Sequence, residues 1–281
     1  MTNIAIVTDS TAYLPKVFIE SNNIKVVPLK IHWDDDDFID GVSITPAEFY
    51  NRLEKSSTIP TTSQPSMEEF LRIFEELAPH CDGIVVPLIS SGISGTVVSA
   101  QAAVSEFSQV PVEIIDSHST SAGLALVVIA IAQAVSEGKS LEEVKRLADS
   151  IVKRMKIFFV VDTLEYLHKG GRIGGASRFL GTALSIKPIL YFDENGKIDG
   201  LEKVRTKNKA LKRILELTVE NVGDKKAVIS LIHANALKEV EQFRNEVQGY
   251  FPENQIDVYD LSPVIGTHVG PGTIGIASYT V

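Results

Sequence analysis

The sequence predicts an α/β protein in two domains, the first α/β and the second, from about Lys156, α+β. Residues 1–155 carry a parallel sheet with helices on both faces, and residues 156–281 a mixed sheet with helices. Three observations carry this. Short β-branched runs such as Ile4-Ala5-Ile6-Val7 and Ile84-Val85-Val86-Pro87-Leu88-Ile89 read as strands buried on both faces. Segments of helical spacing stand between such runs, so strand, polar turn and helix repeat up to about Met155. Past Lys156 the alternation gives way to hairpins mixed with helices, with Asp193-Glu194-Asn195-Gly196 as the clearest hairpin signal.

In order along the chain, Thr8-Asp9-Ser10-Thr11 closes the first strand with groups able to cap the next element. Ile24 to Ile31 reads as a second strand. Asp34-Asp35-Asp36-Asp37 lacks the glycine and distal Glu of a Ca²⁺ loop and reads as a solvated turn. Thr45-Pro46-Ala47-Glu48 and Ser66 with Glu69 are capping boxes that open helices. Between those helices, Pro60 and Pro65 bracket Thr61, Thr62, Ser63 and Gln64 and hold them extended, as either a binding loop or an ordinary linker. Val112 to Ser117 reads as a strand, Ser119 to Glu137 as a very apolar helix, and Ser140-Leu141-Glu142-Glu143 caps an amphipathic helix to about Met155. In the second half, Phe158–Val161, Lys187–Phe192, Ala227–Ile232, Ile256–Asp260 and Thr273–Thr280 read as strands. Thr206–Asn221 and Leu237–Gln248 read as helices.

The stretch Asp82 to Gln101 holds the most chemistry. Its strand runs into Ser90-Ser91-Gly92-Ile93-Ser94-Gly95-Thr96 and then into a helix, the place where open α/β sheets bind ligands. The helix N-terminus offers unpaired N–H groups, and the hydroxyls add donors without charge, so the turn suits an anion. The same composition also serves a turn that is merely tight and caps its helix. The run is neither a nucleophile elbow nor a P-loop, and no G-x-G-x-x-G follows a strand. Gly266-Thr267-His268-Val269-Gly270-Pro271-Gly272 reads as a glycine-rich loop with one imidazole, either a surface residue or a ligand contact.

Net charge of −9 argues against nucleic acid as a partner. The single cysteine, Cys81, excludes a disulfide framework and fits a reducing, cytoplasmic setting. The N-terminus shows no signal peptide, and the apolar stretch Gly123 to Val135 is shorter than a membrane span.

Taken together, Thr8-Asp-Ser-Thr11, Pro60-Thr-Thr-Ser-Gln-Pro65, Ser90-Ser-Gly-Ile-Ser-Gly-Thr96, Asp116-Ser117, Lys169-Gly-Gly-Arg-Ile173, Lys187-Pro-Ile-Leu190, Lys203-Val-Arg-Thr206 and Gly266-Thr-His-Val-Gly-Pro-Gly272 resemble the DegV family of bacterial fatty-acid-binding proteins. Val97-Val98 stands where that family often carries Tyr-Gln, and His168 where Arg commonly precedes Lys-Gly-Gly-Arg. The resemblance implies two α/β domains with one long-chain fatty acid, such as palmitate, stearate or oleate, in the cleft between them. By motif, Thr62 with Thr61 and Ser63, and Ser94 with Gly95, would hold the carboxylate, and His268 would complete the hydrogen-bond network. Arg205 and Arg172 would lie on the entrance or partner side. It further implies a non-catalytic carrier in lipid transport or fatty acid metabolism, with no metal and no cofactor besides the fatty acid. A fatty acid kinase subunit and transient membrane contact would be its partners. The alternative is a serine-dependent acyl hydrolase or small-molecule phosphotransferase using Ser94 and His268.

Overall fold

The computed structural model describes residues 3–181 and 186–281. The first half runs β1 (Ile4–Asp9), α1 (Lys16–Ser21), β2 (Lys25–Val27), β3 (Lys30–Trp33), β4 (Asp36–Ile39), α2 (Pro46–Leu53), β5 (Thr61–Ser63), α3 (Met67–Leu77), β6 (Gly83–Leu88), α4 (Thr96–Glu106), β7 (Val112–Asp116), α5 (Ala122–Ser136) and α6 (Leu141–Arg154). The second continues with β8 (Lys156–Val160), α7 (Glu165–Lys169), β9 (Lys187–Phe192), β10 (Ile198–Val204), α8 (Lys207–Val222), β11 (Ala227–His233), α9 (Leu237–Tyr250), β12 (Asp257–Asp260), α10 (Pro263–Val269) and β13 (Ile274–Thr280).

The strands form a parallel sheet in the order β2-β1-β6-β7 and a mixed sheet in the order β10-β9-β8-β13-β11-β12. In the mixed sheet only β11 and β12 pair in parallel. Side chains alternate across each strand, and the cores follow that alternation. Val7, Ile84, Val86 and Leu88 face Phe70 and Phe74 of α3 and Ala100 and Ala103 of α4. Ile6, Val85 and Ile115 face the other way, into a core shared with α5, α6 and the inner face of the mixed sheet at Ile157, Phe159 and Ala277. The outer face of that sheet packs Val160, Leu231 and Ile276 on α8 and α9. The layers are therefore α/β/α/β/α, with α5 and α6 between the sheets. α5 is buried from Ala122 through Val128, as a helix apolar all round must be.

The local signals hold in detail. The capping boxes at Thr45, Ser66 and Ser140 all form, and Gly196 turns the β9–β10 hairpin at φ 66°. Three readings change. Ile24 to Ile31 is two strands in different sheets, broken around Pro28, which has no N–H for a ladder. Asp36 and Asp37 belong to β4, which pairs with β3 and β5 in a third, antiparallel sheet in the order β4-β3-β5. His268 lies on α10 and not in a loop; Ser262 caps this helix by accepting from Ile265 N, and Pro263 stands at its first position.

Candidate functional site

Thr62 and His268 are 206 residues apart in sequence and meet at 2.8 Å between Oγ1 and Nε2. On β5 Thr62 stands opposite Ile31, which is fully buried. At the end of α10 His268 is only 9% exposed. Burial, and secondly the positive charge of Arg172, push its imidazole down to about 4, so the ring is neutral at neutral pH. Nδ1 has no hydrogen-bond partner among the described residues, and a side chain at Gly170 would collide with it.

The turn after β6 forms the facing wall. Ser94 N donates to Ser90 O, and Ser94 Oγ lies 2.8 Å from Thr96 Oγ1 at the start of α4. Two bonds tie this turn to the second half of the chain. Ser90 Oγ donates to Gly196 O at 2.8 Å, and Arg172 Nε donates to Ile93 O at 3.2 Å. Arg172 Nη1 also donates to Gly170 O at 2.8 Å, so the guanidinium is fixed between backbone carbonyls. From below, Ile89 N donates to Asp9 Oδ2 at 2.6 Å, and the other oxygen of that buried carboxylate accepts from Thr11 N and Oγ1. Burial pushes Asp9 up, and these donors oppose it.

Thr62, Ser94, His268 and Arg172 line one cleft, whose remaining walls include Leu29, Ile89, Ile157, Phe159, Ile232 and Leu261. It encloses about 740 Å³ of space between atoms, open mouth included. The cleft is a largely apolar slot in which Thr62, His268, Arg172 and the Ser94 turn supply a polar patch.

The other expected residues sit differently. Ser63 borders the cleft, but strand alternation turns its hydroxyl to the opposite face, where it meets His32 Nε2 at 2.8 Å. His32 Nδ1 lies 2.6 Å from Asp37 Oδ1, so Ser63, His32 and Asp37 stand in the order of a catalytic triad. The Asp37 side chain is 80% exposed, however, and that chain lies outside the slot. Thr61 is exposed on the Ser63 side of β5. Gly95 does not line the slot; the lack of a side chain there lets the Gln64 amide lie over the start of α4, and it is Gln64 that lines the slot. Arg205 is exposed in the link from β10 to α8, outside the lining.

Ser94 and His268 share no hydrogen bond: Ser94 Oγ pairs with Thr96, and His268 Nε2 with Thr62. Among the described residues, no group of three or more His, Cys, Asp or Glu is placed to hold a metal ion, and no helix is long and apolar enough to cross a membrane. Gln64, Thr120 and Ser121 also line the slot, although sequence reasoning gave them no such role. Gln64 was visible inside the proline-bracketed segment. Thr120 and Ser121 read as the opening of an apolar helix.

A family model described as an uncharacterised protein of the DegV family matches residues 3–281. A DegV domain-containing protein of Halalkalibacterium halodurans is 39% identical over 281 residues, covering 99% of each chain. Among solved structures, a fatty-acid-binding DegV family protein from Thermus thermophilus superposes with TM-score 0.94 at 33% identity, over 99% of this chain and 100% of that one. A stearic-acid-binding protein from Eubacterium ventriosum does so with TM-score 0.91 at 26% identity, over 99% and 98%.

Proposed function

Because the chain belongs to the DegV family, we propose that it binds one long-chain fatty acid, with the acyl chain in the slot and the carboxylate at Thr62, Ser94, His268 and Arg172. The observation that carries this is the Thr62–His268 pair in the lining of a largely apolar slot. With the neutral ring donating from Nε2 to Thr62 Oγ1, the Thr62 hydroxyl has its own proton to give to a carboxylate oxygen. Ser94 supplies a second hydroxyl at the start of α4, and the fixed guanidinium of Arg172 supplies positive charge. The chain supplies most of the affinity: at ~0.8 kcal/mol per buried methylene, it contributes on the order of 10 kcal/mol before association costs. The relatives' ligands, fatty acid in one and stearic acid in the other, are of the same class. The division into residues 1–155 and 156–281 is part of this proposal, since both parts wall the slot.

The finer reading is that the bound carboxylate is handed to a separate fatty acid kinase for conversion to an acyl phosphate. In its support, Gly171, Arg172, Gly174 and Lys197 line a second hollow that shares Ile93, Arg172 and Ile198 with the slot. Arg205, exposed after β10, is then free to meet a partner. The hydrolase alternative needs a nucleophile bonded to its base, and the separate pairings of Ser94 and His268 count against it.

Organic extraction of purified protein followed by mass spectrometry tests the first reading. One fatty acid per chain is expected. Protein that releases no lipid, and takes up neither palmitate nor oleate after delipidation, would overturn it. Acyl phosphate formation on adding a cognate kinase and ATP tests the second, and ester hydrolysis by the protein alone would favour the enzyme.

A further inference from the structure

Ser119, Thr120 and Ser121, between β7 and α5, are not among the residues to which the carboxylate is assigned above. They are 1%, 7% and 1% exposed, and none of their hydroxyls finds a hydrogen-bond partner among the described residues. Thr120 and Ser121 line the same slot as Thr62 and His268. Buried hydroxyls are nearly always paired, so two left open beside a cavity point to something that enters it. They stand at the N-terminus of α5, a helix of 15 residues whose first turn has no side-chain cap. Ser121 holds φ 52° and ψ −128°, a conformation that residues with side chains seldom adopt. The surroundings keep the loop in this shape. Ser90 N donates to Ser119 O at 2.8 Å, and Gly123 leaves no room for a side chain between Ile157 and Ser119.

We propose that Thr120 and Ser121 form a second polar subsite in the slot, which takes a hydroxyl carried on the acyl chain, so that hydroxylated long-chain acids belong to this protein's ligand class. This rests on the reading of the slot as an acyl-chain site. The chemistry selects a neutral oxygen. A ligand hydroxyl both donates and accepts, as Thr120 and Ser121 do, and the N–H groups at the helix end favour an acceptor. A second carboxylate would be an ion in a largely apolar slot, and Arg172, the cation lining it, is already held by Ile93 O and Gly170 O. A plain methylene at this point leaves both hydroxyls unpaired, and a site built to bond a hydroxyl discriminates against the analogue without one. A water held by the two hydroxyls would be indifferent to where a chain is substituted.

The test is competition against a bound fluorescent fatty acid, using stearic acid and its positional hydroxystearic isomers on wild type, Thr120→Val and Ser121→Ala. One isomer, or two adjacent ones, should bind wild type at least as well as stearic acid, while the others fall by about tenfold or more. Thr120→Val should lower the ratio of the favoured isomer's affinity to that of stearic acid by about tenfold, with thermal melts checking that the variant folds. The inference is overturned if all isomers lose equally against stearic acid in wild type, or if neither substitution changes the ranking. Failure of stearic acid itself to bind wild type overturns the acyl-chain reading, and the inference with it.

Discussion

Replacing Thr62 by valine keeps the volume and removes one hydroxyl, which separates the head-group site from the acyl slot. In the folded chain that hydroxyl meets His268 Nε2 at 2.8 Å, and His268 Nδ1 has no partner among the described residues. The substitution therefore leaves a buried, neutral imidazole with neither nitrogen paired, which should destabilise the fold by about 1–3 kcal/mol. For the ligand, losing a hydrogen bond to a charged acceptor should weaken binding by about 1.5–3 kcal/mol, or roughly 10- to 150-fold. The methylenes are untouched, so the loss should be confined to ligands that carry the carboxylate. The assay is displacement of a fluorescent fatty acid by palmitate and by methyl palmitate, with thermal melts run alongside. Palmitate should lose the stated factor and the ester little. Equal losses for acid and ester would mean that Thr62 shapes the slot and does not hold the head group, and the assignment of the polar patch would fail.

Further outcomes rest on the same geometry. Gly170→Ala should disturb the Thr62–His268 pair through the clash with Nδ1 and weaken palmitate as Thr62→Val does, although Gly170 is not among the residues that line the slot; an alanine variant with wild-type affinity would contradict this. His268 is held below its ordinary value, so the unfolded chain binds more protons between about 4 and 6.5. Its contribution is complete above 6.5 and is lost as pH falls towards 4, by on the order of 3 kcal/mol, so wild type should lose stability against His268→Gln across that window. Burial pushes Asp40 up to about 7, the opposite case: its contribution is present in acid and fades as pH rises from 3.8 to about 7. Urea titrations at several pH values should show Asp40→Asn gaining on wild type through that range, and a gap independent of pH would refute the assignment.

Much of the frame was legible in the sequence because local rules decided it. Capping boxes at Thr45, Ser66 and Ser140 need only the residue and its third neighbour, and the β9–β10 turn needs only Asp193 to Gly196. The proline-bracketed run could be read as extended, and β5 is indeed a strand. What local rules could not supply was the partner across space. That Thr62 faces inward and Ser63 outward depends on the register Ile31↔Thr62 and Lys30↔Ser63, set by a third sheet that nothing in the spacing announced. Reading His268 as a loop residue overlooked Ser262-Pro263, a helix start hidden by the glycines that come after it. Ser119, Thr120 and Ser121 stand before an apolar run that dominates the local pattern, and that their hydroxyls have no partner among the described residues depends on the packed chain.

Two buried carboxylates explain how turns from distant strands are held around one point. Asp9, at the end of β1, accepts from Ile89 N and so fixes the end of β6 from which Ser94 departs. Asp40 accepts from Ser10 Oγ at 2.7 Å and from Val264 N at 3.2 Å, joining the turn after β1 to the first turn of α10. At the far end of that helix stands His268. Neither Asp9 nor Asp40 lines the slot, yet each carboxylate binds backbone N–H groups on the elements that carry the polar patch. A carboxylate buried in this way is costly unless its bonds are made, so the arrangement tolerates little sliding of α10 or of the β6 turn. That rigidity suits the proposed task, because a head group offered to a second protein must be held in one orientation, whereas a methylene chain need only be kept from water.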